Sequence, residues 1–125
     1  MSAKFEIKLA KNGEYMFNLY APNGRVICTS ETYTTLQNCR IGIESVRTNA
    51  ASHTEELGRD AVCLCPKYEV FTDKAGEYRF HLKATNGEII CASQGYTTRE
   101  SCYGGIRSVA ENAPTAEIVM LDAKE

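Results

Sequence analysis

Residues 4–50 and 67–113 are one sequence written twice, in register and without a gap. The offset is 63 throughout, and 24 of the 47 paired positions are identical. Tyr15, Phe17 and Leu19 meet Tyr78, Phe80 and Leu82; Asn23-Gly24 meets Asn86-Gly87; Cys39 meets Cys102. A unit of that length buries too small a share of its surface to be stable alone. The two copies are therefore expected to share one core as a single pseudo-twofold domain over residues 1–125, repeat one at 4–65 and repeat two at 67–122.

Each copy begins with alternation. In Lys4–Leu9, Phe5, Ile7 and Leu9 face one way and Lys4, Glu6 and Lys8 the other, the pattern of a half-buried strand. A turn at Asn12-Gly13 leads to a second strand at 14–21. One face of it, Tyr15, Phe17, Leu19 and Ala21, recurs unchanged in the second copy. The opposite face has drifted, from Met16, Asn18 and Tyr20 to Arg79, His81 and Lys83. The invariant face is read as core and the drifted face as solvent-facing. Asn23-Gly24 and Asn86-Gly87 mark hairpin turns, and 25–30 and 88–93 form third strands.

Thr34-x-x-Gln37 and Thr97-x-x-Glu100 have the form of capping boxes, in which the hydroxyl and the amide or carboxylate each satisfy a backbone N–H of the first turn. Cys39, Gly42, Ile43 and Val46 then recur at helical spacing, as do Cys102, Gly105, Ile106 and Val109. The expected helix is amphipathic and about 14 residues long. Its glycines lie on the buried face, and Asn49 and Asn112 are placed as left-handed terminators. Short apolar tracts at 61–65 and 117–121 complete a β-β-β-α-β order in each copy.

Composition excludes more than it assigns. A net charge of −2 gives no global attraction to nucleic acid or an anionic membrane. No stretch approaches the length of a membrane-spanning helix, and the N-terminus carries no signal-like apolar run. The chain is expected in the cytoplasm, with its six cysteines as free thiols.

Ala21-Pro22-Asn23-Gly24, the segment from Ser30 through Tyr33 to Thr35, Gly42-Ile43-Glu44-Ser45-Val46 and their second-copy partners resemble the YegP-like family of bacterial proteins. The resemblance spans nearly the whole chain. It implies an α+β fold of two tandem β₃αβ units in one antiparallel sheet, with each unit's C-terminal strand exchanged onto the other and both helices on one face. Single-copy members are expected to reach the same arrangement as dimers, and this duplicated chain as a monomer. The family supplies no catalytic or ligand residue to carry over.

The residues that invite a chemical reading have structural explanations. Cys28, Cys91, Cys39 and Cys102 fall on core-facing positions, where free Cys packs as a small hydrophobe. Cys63-Leu64-Cys65 would place two sulfurs about 6–7 Å apart on one strand face, and His53 would be a third ligand. A structural zinc site needs a fourth, and nothing supplies it, so neither metal nor cofactor is expected. Ser30/Ser93, Tyr33/Tyr96 and Ser45/Ser108 read as turn, packing and helix groups. Met16, Asn18, Tyr20, Arg79, His81 and Lys83 remain, on the sheet face opposite the core and locally basic in the second copy. They are the expected binding surface of a non-catalytic module for an unidentified macromolecule or ligand. A single-stranded nucleic-acid platform is the alternative, and a thiol-dependent activity ranks third.

Overall fold

The core-facing alternation becomes a single eight-stranded sheet in the computed structural model, which describes residues 2–56 and 65–120. The elements run β1 (Lys4–Leu9), β2 (Tyr15–Tyr20), β3 (Val26–Ser30), α1 (Leu36–Asn49) and β4 (Thr54–Glu56), then β5 (Lys67–Thr72), β6 (Tyr78–Lys83), β7 (Ile89–Ala92), α2 (Arg99–Asn112) and β8 (Glu117–Met120). The order across the sheet is β4-β5-β6-β7-β3-β2-β1-β8. The copies meet at the β3–β7 seam, and each last strand lies on the outer edge of the other copy.

The helices explain the exchange. Gly42 of α1 lies against Phe17 of β2, and Tyr68 of β5 donates its hydroxyl to the Ala50 carbonyl at the end of the same helix. The eight residues from Gly42 to Ala50 rise about 12 Å, which takes the helix past the seam and most of the way over the four strand spacings, roughly 19 Å, between β2 and β5. The helix thus carries the chain across the seam. It delivers β4 beside the start of β5, where Thr54 pairs with Tyr68.

Strands that begin together run together. β4 is parallel to β5 and β8 is parallel to β1. The sheet is therefore mixed, which corrects the all-antiparallel expectation at its two outer pairs. β4 also lies earlier than expected, ahead of the apolar tract at 61–65. Of the expected strand at 61–65, residues 61–64 lie outside the described residues, as does Leu121 at the end of the last one.

Both helices pack on one face. The hydroxyls of Tyr33 and Tyr96 stand where a Cβ on Gly42 or Gly105 would be, 2.4 Å from that position in each case. Glycine is what lets the helix axis come this close to Phe17 and Phe80. The buried helix residues are those read from the periodicity: Cys39, Gly42, Ile43 and Val46, and their partners. They close over Phe5, Ile7, Leu19, Tyr68 and Leu82.

Three local expectations change in mechanism. In the hairpins only the glycines take positive φ. The Asn side chains instead accept from the N–H two residues on, Asn23 from Arg25 and Asn86 from Glu88, the Asx-turn device. The N-caps are Thr35 and Thr98, one residue later than expected, accepting from the N–H of Asn38 and Ser101. Asn49 and Asn112 stay right-handed and donate back to the carbonyls of Ser45 and Ser108. A carboxamide that satisfies a last-turn carbonyl removes the need for a left-handed stop.

Candidate functional site

Strand alternation fixes which side chains share the face that the helices leave bare. Met16 stands opposite Lys8, Asn18 opposite Glu6 and Thr29, and Tyr20 opposite Lys4. In the second copy Arg79 stands opposite Phe71, His81 opposite Glu69 and Ala92, and Lys83 opposite Lys67. The six expected residues do share one face, but not one cluster. β7 and β3 lie between β6 and β2, so the two triplets are about 14 Å apart.

The face is less solvated than the sequence implied. Asn18 is 4% exposed, with Thr29 donating to its Oδ1 at 2.8 Å. Glu6, Glu55, Lys67 and Glu69 are also buried. Long neighbouring side chains lie across the pleat and cover these groups. Lys4 reaches over the Tyr20 ring at 5.4 Å, and Phe71 packs on the His81 ring at 4.6 Å. Met16, Tyr20, Phe71, Arg79, His81 and Lys83 remain half-buried.

Four of its cations are held by carboxylates. Lys83 Nζ meets Glu69 at 3.0 Å, and Lys67 Nζ lies between Glu69 at 3.2 Å and Glu55 at 2.5 Å. Arg79 Nε meets Asp73 at 2.6 Å, and Lys4 meets Glu6 at 3.3 Å. Burial works to raise the Glu69 pKa, but Lys83 and Lys67 outweigh it and hold the carboxyl below its ordinary value. The Arg79 hydrogen bond does the same for Asp73. Burial lowers His81 below 6.5, with Glu69 opposing, so its ring is neutral at pH 7. Sequence reading found the cations and missed their partners. The signal was the hairpin register, which sets Glu69 beside both His81 and Lys83.

The thiols sit elsewhere. Cys28 and Cys91 are buried beside the seam. A hydrogen bond to Cys91 and then burial raise the Cys28 pKa well above its ordinary value. Burial pushes Cys39 and Cys102 up to about 11 each. A nucleophilic thiol needs the opposite shift. Cys65 is half-buried, His53 is exposed, and Cys63 lies outside the described residues. Among the described residues no three His, Cys, Asp or Glu side chains gather as metal ligands, and no helix is long and apolar enough to cross a membrane.

Sequence reasoning also passed over Ile41, which is 58% exposed at the edge of a groove on the helix side. The signal was available: its repeat partner is Gly104, one of the sharper breaks between the copies.

A family model described as a domain of unknown function, DUF1508, matches residues 10–55 and again 73–119. A UPF0339 protein of Pseudomonas aeruginosa is 40% identical over 116 residues, which cover 93% of this chain and 94% of that protein. A UPF0339 protein of Methanosarcina acetivorans is 55% identical over 56 residues, 45% of this chain but 97% of its own length. It is thus about one repeat long. The solution structure of the protein of unknown function yegP from E. coli superposes with a TM-score of 0.81 at 33% identity, over 100% of this chain and 97% of that one.

Proposed function

The chain belongs to the DUF1508 family, whose function is unknown, and on that footing we propose that it is a non-catalytic binding module whose open sheet face receives a protein partner. The observation that carries this reading is the pairing of charges on the face. Four cations of the sheet, Lys4, Lys67, Arg79 and Lys83, are held by carboxylates of the same face. Half-exposed Met16, Tyr20 and Phe71 lie among them. Methionine, aromatic and arginine side chains set among satisfied polar groups are the composition that protein interfaces favour. Eight strands at about 4.8 Å spacing span roughly 34 Å, enough width for a standard interface of about 800 Å² per partner.

The same pairing weighs against the nucleic-acid reading. A phosphate backbone binds chiefly by releasing counterions through unpaired Lys and Arg, and these cations are already neutralised. The raised thiol pKa values weigh against thiol-dependent chemistry in the same way. In this reading the protein acts as a cytoplasmic monomer, because duplication already supplies its pseudo-twofold partner.

A photo-crosslinking residue placed at Met16 or Tyr20, and a control at exposed Glu111 of α2, tests the proposal in the native host. A discrete protein adduct at the first two positions and none at the third is expected. Absence of any adduct from the sheet face sinks it. A salt-sensitive retardation of single-stranded RNA or DNA, lost on R79A/K83A, would transfer the face to nucleic acid.

A further inference from the structure

Every position of residues 4–50 has a twin 63 residues away, so a difference between twins is visible against a built-in control. The helix side carries a pair of such twins. One groove lies between α1 and the β6–β7 hairpin. It has a cavity of about 310 Å³, lined in part by Tyr33, Ile41, Ser45, Asn86, Glu88 and Ile89. A second depression of about 460 Å³ continues it along α1 and shares Ile41, Ser45 and Asn86. The equivalent groove between α2 and the β2–β3 hairpin holds about 150 Å³.

The twins agree in Tyr33/Tyr96, Ser45/Ser108 and Asn86/Asn23. They differ at two positions that matter for a ligand. Ile41 of the larger groove is replaced by Gly104, and Glu88 is replaced by Arg25. The roomier groove has thus acquired an apolar lip, and its charge is the reverse of its twin's.

Ile41 does not serve the core. It is the one large apolar side chain among the described residues that is mostly exposed. A single exposed isoleucine needs no explanation, but this one overhangs an opening that also exposes part of Ile89. Glu88 is exposed and makes no ion pair among the described residues, while Lys83 of its own hairpin is committed to Glu69. The Tyr33 hydroxyl faces the groove above Gly42 without a hydrogen-bond partner among the described residues. Burial and then the nearby Cys39 push its pKa up to about 12, so it stays a neutral O–H at pH 7. A volume of this order is at the lower end of small-molecule sites.

We propose that the groove between α1 and the β6–β7 hairpin binds a small organic cation, an alkylammonium-type molecule whose chain lies on Ile41 and Ile89 and whose charge meets Glu88. The apolar lip supplies burial for the chain, the carboxylate selects the sign of the charge, and the Tyr33 hydroxyl offers a hydrogen bond to any polar group along the body. The site is on the helix side of the sheet, so it stands or falls independently of the open face.

The test is an amide-resolved NMR titration of the full chain with hexylammonium, with hexanoate as the matched anion. Saturable shifts confined to residues 38–49 and 84–90 are expected, with no saturable response to hexanoate. E88R and I41G each copy the residue that the fold already accepts at the twin position, so both variants should fold, and unchanged spectra away from the groove verify that. Each should weaken hexylammonium by about tenfold, equivalent to one well-placed contact. Failure to saturate, an equal response to hexanoate, or undiminished binding by E88R overturns the assignment.

Discussion

His81 is the side chain whose surroundings make the clearest demand on solution behaviour. Phe71 packs on its ring, Glu69 stands across the strand pair, and Lys83 and Arg79 flank it along its own strand. Burial lowers its pKa below the ordinary 6.5, Glu69 works the other way, and Lys83 and Arg79 add to the depression. The folded chain therefore holds a neutral ring at pH values where the unfolded chain takes up a proton. By linkage, the unfolded state binds more protons in that window, so stability falls as pH drops from about 6.5 through the folded value and is unaffected above it. Glu69 and Asp73 act in a lower window. Their carboxyls titrate below the ordinary 4.5 and 3.8, so their contribution is present above those values and is lost as acid protonates the folded state. Thermal melts between about pH 3 and pH 8 should show both declines. H81Q should flatten the upper decline and leave the lower one, whereas D73N should soften only the lower. An unchanged upper slope in H81Q would place the proton uptake on another group.

At the scale of the elements, the two threonines before each helix separate what sequence could and could not give. Both Thr34 and Thr35 precede the first turn, and a capping-box pattern favours Thr34. The backbone decides otherwise: Thr35 is extended, and its Oγ1 accepts from the Asn38 N–H at 3.0 Å. Thr35→Ala and Thr98→Ala should each cost about 1 kcal/mol, a drop of roughly 4 °C in Tm for a domain of this size. Thr34→Ala and Thr97→Ala should stay within about 0.5 kcal/mol, as ordinary surface changes do. Equal losses at both positions would return the cap to the earlier residue. The strands, turns and helices were legible because each depends on local periodicity, and the repeat repeats it. β4 was not, because Thr54-Glu55-Glu56 has no apolar signal. Its pairing is set by distant partners: Glu55 meets Lys67, and Glu56 accepts from Arg99 and from the Tyr103 hydroxyl of α2. The open face was half legible for the same reason. Which residues point outward follows from alternation, but which carboxylate neutralises which cation follows from pairing across strands. The groove beside Ile41 was hidden because it is bounded by a helix of one copy and a hairpin of the other.

On the scale of the whole molecule, polar ties cross between copies at places the repeat does not duplicate. Tyr68 of the second copy bonds the carbonyl that ends the first helix, yet its twin Phe5 has no hydroxyl to return the bond. Arg47 of α1 reaches the Ala116 carbonyl before β8 at 2.5 Å, while its twin is Ala110. Glu56 is held by Arg99 and Tyr103, whose twins are Leu36 and Arg40. The covalent link has let the halves specialise toward each other. A fragment of residues 1–56 keeps the first copy's share of the core and its own β4, but has no β5 to receive that strand. Two such fragments can recreate the seam and exchange strands, as a relative about one repeat long would need to do. They would do so without the Tyr68 and Glu56 ties and without the effective concentration, of order millimolar, that a short link provides. The fragment should therefore sediment as a dimer when concentrated, dissociate with loss of structure on dilution, and melt at a temperature that rises with concentration. Sedimentation equilibrium combined with melts over a wide dilution series reads all three. A cooperatively melting monomer with a concentration-independent Tm would mean that one copy closes its own core, and strand exchange would then be a consequence of the link and not a condition of folding.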